Sequence, residues 1–103
     1  EGEEKVLGPE HPDTLNIINY LATLLYALGR LTEALELLRK KASVSKVAKA
    51  AVRYNLACYE CLSGNLDEAK RLITEEIAAN PEKKEQVLQD EDLKPIWDFI
   101  KLL

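Results

Sequence analysis

The chain repeats part of its own sequence after 35 residues. The repeated positions are apolar, small, acidic or glycine, and they pair as follows: Leu21-Ala22 with Leu56-Ala57, Gly29 with Gly64, Leu31 with Leu66, Glu33-Ala34 with Glu68-Ala69, and Leu38 with Ile73. A unit of this length with a central glycine is typical of a helix, a tight turn and a second helix, neither of which buries its apolar face alone. The repeat therefore predicts helical hairpins that stack and offer a concave wall to another chain.

Length and composition agree with one all-helical domain. The chain has 103 residues, of which 47% are hydrophobic and 31% charged, with only 4 Gly and 4 Pro. Leu, Ala, Glu and Lys, which favour helices, are abundant. The formal net charge of −4 argues against nucleic acid as a partner, because duplex binding relies on clustered Lys and Arg.

The sequence also predicts where the protein works. The richest apolar stretch, residues 15–28, contains Asn16, Asn19 and Thr23 and is shorter than the roughly 20 apolar residues of a membrane helix. We therefore expect no membrane span. Two cysteines separated by two residues are not a disulfide framework, and no basic-then-apolar leader opens the chain, so a reducing, cytoplasmic location is expected.

Helix starts and stops follow from local signals. Gly29 and Gly64 are predicted to end helices, Asn80-Pro81 to end another, and Ser43 or Ser45 to cap one. The first predicted helix begins near Asp13 and covers residues 13–28, and the second covers 31–41. The third follows the serine caps and runs through Ala48 to Leu62, and the remaining helices cover 67–79, 82–88 and 92–102. They form one hairpin over 12–42, a second over 43–81 and a degenerate capping hairpin over 82–103. The apolar tail is expected to cover the second hairpin, with pairing to another copy as the alternative; it consists of Trp97, Phe99, Ile100, Leu102 and Leu103.

Four short motifs carry a resemblance to a known family: Tyr54-Asn55-Leu56-Ala57, Gly64-Asn65-Leu66, Asp67-Glu68-Ala69 and Asn80-Pro81. Together they resemble the tetratricopeptide repeat. More narrowly, residues 6–15, which read Val-Leu-Gly-Pro-Glu-His-Pro-Asp-Thr-Leu, are similar to the repeats of kinesin light chains. The resemblance implies a single tetratricopeptide domain over 1–103, an all-α superhelix of antiparallel helix-turn-helix repeats with C-terminal capping helices. It also implies that residues 3–10 are the tail of a preceding repeat.

The sequence departs from the family pattern at two positions of the first helix in each hairpin. An early aromatic residue is replaced by Ile18 and Arg53, and a late tyrosine by Leu25 and Glu60. The substitutions in the second hairpin are charged, so we expect that hairpin to pack less tightly than the family norm.

The resemblance implies that the first helix of each hairpin lines the concave wall. Amides and phenols on such a wall suit an extended peptide, because Asn both donates to and accepts from a main chain and Tyr offers a flat, rigid surface. Asn55 matches the repeat position at which an Asn commonly holds ligand backbone. In the alternative interpretation the tyrosines pack between hairpins. The predicted partner-binding residues are Asn16, Asn19, Tyr20, Thr23, Tyr26, Tyr54, Asn55, Cys58 and Leu62, with Cys61 beside them.

These residues predict a non-catalytic scaffold that binds a protein or peptide. The alternative is a homo-oligomerisation module that uses repeat edges at residues 3–7 or at the Trp97 tail. A carboxylate clamp for acidic C-termini is disfavoured because only Asn55 fits its pattern, and an acidic peptide would find only Lys46, Lys49 and Arg53 nearby.

The sequence predicts neither a catalytic site nor a metal site. Cys58 and Cys61 share a helical face, but a zinc site needs four ligands and the single histidine, His11, lies in a distant turn. His11 has no nucleophile with an orienting acid beside it, so we expect no catalytic residues, no metal and no cofactor. The acidic run 90–92 is predicted to cap the helix that follows it.

Overall fold

The computed structural model describes residues 10–103, and within that range every regular element is helical. The elements are α1 (Pro12–Ala27), α2 (Leu31–Ala42), α3 (Lys46–Leu62), α4 (Leu66–Ala79), α5 (Lys83–Val87), a 3-10 helix (Glu91–Ile96) and α6 (Trp97–Lys101). This confirms the predicted all-α class of helical hairpins with C-terminal capping helices. The predicted tail of a preceding repeat, residues 3–10, lies outside the described range except for Glu10.

Helix α1 begins at a histidine cap. The backbone N–H of Asp13 donates to Nδ1 of His11 at 3.0 Å, and Pro12 occupies the first helical turn, where its missing N–H has no intrahelical partner to lose. Helix α1 then packs against α2 to form the first hairpin. The sequence had placed His11 beside the start of this helix without identifying its ring as the cap.

The same turn closes α1 and α3. Gly29 and Gly64 have φ values of +78° and +91°, a left-handed conformation that suits glycine. After each glycine, the next residue's N–H reaches back five positions: Arg30 to the carbonyl of Leu25, and Asn65 to the carbonyl of Glu60, at 2.9 and 2.8 Å. Both ends are Schellman motifs, which confirms the predicted helix stops.

Equivalent small and apolar positions are buried in both copies of the repeat. The alanines and the aliphatic residues at these positions have no exposed surface; they are Ala22 with Ala57, Ala34 with Ala69, and Leu38 with Ile73. Small residues allow helix backbones to approach closely, and the aliphatic side chains fill the space between them. The 35-residue period therefore marks core positions.

Of the two serines proposed as caps of α3, one caps this helix and the other does not. Ser45 Oγ accepts from the N–H of Ala48 at 3.1 Å and caps α3. Ser43 does not cap this helix; its hydroxyl donates to the carbonyl of Lys40 at 2.7 Å, at the end of α2. The sequence could not distinguish the two roles because the serines are only two residues apart.

The C-terminal segment differs from the single predicted helix over 92–102, and that prediction was wrong. A 3-10 helix contains Pro95, and α6 begins only at Trp97. Proline offers no N–H for an α-helical bond and disfavours α geometry in the residue before it. The N–H of Leu93 instead bonds the carbonyl of Asp90 at 2.9 Å, three residues back.

This C-terminal segment nevertheless packs on α4 as predicted. The 3-10 helix, α5 and α6 each contact α4, and the side chains they bury almost completely are Val87, Leu93, Ile96 and Ile100. The indole Nε1 of Trp97 donates to the carbonyl of Val87 at 2.8 Å, which ties α6 to the end of α5. The last two leucines, Leu102 and Leu103, are exposed and take no part in this cap.

The chain divides into two compact units, residues 1–52 and 53–103, with the boundary inside α3. The single continuous repeat domain over 1–103 stays a prediction. Among the helices formed by residues 10–103, none has the length and apolar character that crossing a membrane requires.

Candidate functional site

The predicted partner-binding residues of the first hairpin follow α1 as a polar stripe. Asn16, Asn19, Thr23 and Tyr26 are spaced by three, four and three residues, which places them on one face of the helix. Asn16, Thr23 and Tyr26 are exposed and Asn19 is half-buried. Tyr20 lies at the margin of this stripe, with 63% of its surface exposed.

Asn19 has a structural partner within the first unit. Its Nδ2 donates to the carbonyl of Ala51 in α3 at 3.1 Å, and its main-chain carbonyl accepts from the hydroxyl of Thr23 at 3.0 Å. Its Oδ1 is buried and has no hydrogen-bond partner among the described residues. The side chain therefore links α1 to α3, and among residues 10–103 its buried Oδ1 is an unsatisfied hydrogen-bond acceptor.

Two predicted residues of the second hairpin converge on one carboxylate. The Tyr54 hydroxyl donates to Oδ2 of Asp90 at 2.8 Å, and the Cys58 thiol donates to the same oxygen at 3.7 Å. The other oxygen of Asp90 accepts from the N–H of Asp92 at 3.0 Å. Asp90 is thus the cap of the 3-10 helix, as the acidic run predicted, and it also ties that helix to α3.

Burial and negative charge determine the protonation of this cluster. Burial, and then the hydrogen bond to Asp90, raise the pKa of Tyr54; burial, and then the charge of Asp90, raise the pKa of Cys58. Burial and the charges of Asp92 and Asp90 also raise the pKa of Cys61. The phenol and both thiols stay protonated at neutral pH, so Tyr54 and Cys58 act as donors to Asp90.

The cluster brings together groups that can ligate a metal. The ligand atoms of Cys58, Asp90 and Asp92 lie within 4.8 Å of one another. A cysteine binds a metal as the thiolate, whereas the raised pKa of Cys58 keeps its thiol protonated. Both oxygens of Asp90 already accept hydrogen bonds. These contacts are those of a helix cap.

Asn55 and Leu62 lie on α3 two turns apart and are both half-buried. Cys58 lies between them on the same face, at spacings of three and four residues. The side-chain amide of Asn55 forms no hydrogen bond with any residue in the range 10–103. Asn55 is therefore a half-buried group with its donors and acceptor available.

The sequence missed a buried ion pair. Arg53 Nε donates to Oε1 of Glu76 at 2.8 Å, and Asn80 Nδ2 donates to the other oxygen of Glu76 at 3.4 Å. Similarly, Glu60 is buried and accepts from Nδ2 of Asn65 at 2.8 Å. Arg53 and Glu60 are the two charged departures from the family pattern, and each has a polar partner. Charged residues on otherwise apolar helix faces were the signal that could have revealed these pairs.

Comparison with protein families gives a match to the first hairpin. Residues 14–44 match the model of a family described as tetratricopeptide repeat. Residues 14–44 are thus similar to a tetratricopeptide repeat. The matched range covers most of α1, the Gly29 turn and all of α2, the elements that pack together in the first unit. Searches of curated proteins and of solved structures found no match.

The tetratricopeptide repeat bears on function in a general way. Proteins with this repeat are in general protein-interaction scaffolds and are in general not catalytic. A fold alone does not determine what a protein binds, so a particular partner must be argued from individual side chains.

Proposed function

We propose that this protein is a non-catalytic scaffold that binds a peptide or a partner helix through the polar side chains of α1 and α3. The proposal is supported by the tetratricopeptide repeat at 14–44 and by the exposed polar stripe on α1. The residues proposed to contact the partner are those expected from the sequence: Asn16, Asn19, Tyr20, Thr23 and Tyr26 on α1, and Tyr54, Asn55, Cys58 and Leu62 on α3.

The observation that carries the proposal is the available amide of Asn55. An asparagine side chain can donate to a carbonyl and accept from an N–H of the same extended peptide, which gives two main-chain hydrogen bonds from one residue. Because Asn55 is half-buried, water competes less for those bonds than at an exposed site. Leu62, two turns away on the same helix, supplies an apolar contact for a peptide side chain.

Tyr54 and Cys58 have a different part in this proposal. Their polar atoms are committed to Asp90, so neither offers the peptide a hydrogen bond. Tyr54 is half-buried and offers part of its ring, over which Lys83 Nζ lies 5.4 Å from the centroid, whereas Cys58 is only 5% exposed and packs beneath the surface. The bond to Asp90 fixes the orientation of the Tyr54 ring before a peptide arrives, which lowers the entropy lost on binding. Asn55 is accordingly the residue expected to contribute the polar specificity.

The test uses peptides selected on the protein itself. A random 12-residue peptide library is displayed on phage, binders to the full chain are isolated, and their dissociation constants are measured by fluorescence polarisation. Asn55→Ala should weaken the selected peptides about tenfold to a hundredfold, as expected for lost buried hydrogen bonds. Gln89→Ala, which removes an exposed amide from the C-terminal segment, is the matched control and should leave affinity unchanged.

Two results would contradict the proposal. The first is a library that yields no binder to the wild-type chain. The second is a set of binders whose affinity is the same for wild type, Asn55→Ala and Gln89→Ala. Far-UV circular dichroism of each variant shows whether the helices remain intact.

Three narrower statements also belong to this proposal. Relation to the repeats of kinesin light chains is supported by the motif His11-Pro12-Asp13-Thr14-Leu15, in which His11 caps α1. Absence of catalysis is supported by the general character of the repeat. A reducing, cytoplasmic location is supported by Cys58 and Cys61, two unpaired cysteines on one helix.

Assembly through the Trp97 tail, the alternative drawn from the sequence, has less support. Trp97 bonds the carbonyl of Val87, and Ile100 is fully buried within the second unit. The other proposed edge, residues 3–7, lies outside the described residues. A different surface, on α1, makes a stronger case for assembly.

A further inference from the structure

Helix α1 carries an apolar stripe that faces solvent. Ile17, Leu21, Leu24 and Leu28 are between 41 and 70% exposed. Their spacings of four, three and four residues are those of a coiled-coil seam, and the four side chains extend over about 16 Å of helix. We call these four residues the outer seam; it is separate from the polar stripe of Asn16, Asn19, Thr23 and Tyr26.

In the second copy of the repeat, three of the four residues at the equivalent positions are buried. The positions 35 residues after Ile17, Leu21 and Leu24 are Val52, Leu56 and Tyr59, and all three are at most 6% exposed. Only the position equivalent to Leu28, which is Ser63, is exposed and polar. The same side of a first helix is thus buried in the second hairpin and open in the first.

The seam also lacks charge. No charged residue lies between Asp13 and Arg30. The whole chain carries a net charge of −4, so most pairings of two copies would bring like charges together, whereas α1 against α1 would not. An antiparallel arrangement opposes the two helix dipoles.

We propose that the outer seam binds the outer seam of a second copy of this chain, with the two α1 helices antiparallel. In this arrangement the seam is its own complement: Leu21 of each copy faces Leu24 of the other, and Ile17 faces Leu28. The dimer buries apolar surface that a solvated monomer leaves exposed on one side of a single helix.

The size of the seam sets the expected strength. Four apolar side chains on one helix bury less than the about 800 Å² per partner of a standard interface. The dissociation constant of the dimer is therefore expected to lie in the micromolar range, and association should be visible at protein concentrations between about 1 and 500 μM. Because it uses another face of α1, dimerisation goes beyond the proposed peptide binding.

Sedimentation equilibrium of the full chain tests the proposal. The weight-average mass of the wild type should rise from that of the monomer towards twice that value over the stated range. Leu24→Glu should remain a monomer at the highest concentration, because its carboxylate would be buried against Leu21 of the second copy. Leu102→Glu makes the same change at an exposed leucine outside the seam and should dimerise like the wild type. A wild type that is monomeric throughout the range, or a Leu24→Glu variant that still dimerises, overturns the proposal.

A charge pair tests the antiparallel register. Leu21→Glu and Leu24→Lys should each fail to dimerise alone, but an equimolar mixture should form a heterodimer in which the introduced carboxylate of one chain faces the introduced ammonium of the other. A mixture that stays monomeric contradicts that register. Asn55→Ala should dimerise normally, and Leu24→Glu should bind selected peptides normally, so failure of the dimer and failure of the peptide site are distinguishable.

Discussion

Arg53 in α3 and Glu76 in α4 form an ion pair at 2.8 Å, and their side chains are only 12% and 6% exposed. Asn80 donates to the second oxygen of Glu76, so that carboxylate has a partner on each side. Arg53 is therefore held on α3 by a carboxylate from α4. The contact between these two helices thus includes a charged pair that depends on both partners.

Removal of one partner should be strongly destabilising. Glu76→Gln leaves the guanidinium of Arg53 buried without its counter-charge and should lower the free energy of unfolding by about 3–5 kcal/mol. Glu75→Gln is the matched control: it breaks an exposed ion pair with Arg71 and should change stability by less than about 1 kcal/mol. Urea denaturation followed by circular dichroism measures both. Equal losses for the two variants would show that burial of the Arg53 pair has no energetic consequence.

The carboxylate of Asp90 should also be important for stability. Asp90→Ala removes the acceptor of the Tyr54 hydroxyl and of the Asp92 N–H and should cost about 2–3 kcal/mol. Tyr54→Phe should cost about 1 kcal/mol alone and less in the Asp90→Ala background, where its acceptor is already gone. A double-mutant cycle by urea denaturation measures this coupling, with Glu91→Ala as the exposed acidic control. Strictly additive losses would indicate that Tyr54 and Asp90 do not interact.

The Arg53–Glu76 pair and the contacts of Asp90 with α3 were not predicted from the sequence. The 35-residue period placed Ala22, Ala57 and both turn glycines correctly because close packing and left-handed backbone impose strict local requirements. Pairs such as Tyr54 with Asp90 join residues 36 positions apart, and no local pattern encodes that meeting. The availability of Asn55 likewise depends on what its neighbours bind, which spacing on a helix does not reveal.

The C-terminal cap offers a direct comparison of buried and exposed apolar residues. Ile100 has no exposed surface, whereas Leu102, two residues later, is 86% exposed. Ile100→Ala should cost about 2–5 kcal/mol through lost burial and the cavity left behind. Leu102→Ala should be within about 0.5 kcal/mol of the wild type. Thermal unfolding of both variants provides the measurement, and similar melting temperatures would mean that α6 does not stabilise the second unit.

The two turn glycines should be equally sensitive to substitution. A Cβ at Gly29 or at Gly64 would meet no atom within 4 Å, so any loss of stability comes from the backbone conformation alone. Gly29→Ala and Gly64→Ala should each cost about 1–2 kcal/mol, because an alanine is strained in the left-handed region. Asparagine tolerates the left-handed region better than alanine does. Gly29→Asn and Gly64→Asn should therefore be less destabilised than the corresponding alanine variants. Alanine variants as stable as the wild type in urea would contradict the assigned turn geometry.

Asp92 should make stability depend on pH in a defined direction. Burial, and then the charge of Asp90, raise the pKa of Asp92 above its ordinary value of 3.8. The folded protein thus holds this proton more tightly than the unfolded chain, and the stabilisation is complete below the unfolded pKa and lost as pH rises through the folded one. At neutral pH the carboxylate is therefore unfavourable in the fold.

Asp92→Asn should consequently stabilise the protein at about pH 7 relative to the wild type, by less than about 1 kcal/mol because solvent screens this partly exposed group. The advantage should shrink as pH falls and vanish near about pH 3, where the wild-type carboxyl is largely neutral in both states. Urea denaturation of both proteins at several pH values gives the difference directly. Asp98→Asn, at an exposed position of α6, supplies the effect of the same charge removal. An advantage for Asp92→Asn that is greater in acid than at neutral pH would reverse the sign and refute the assignment.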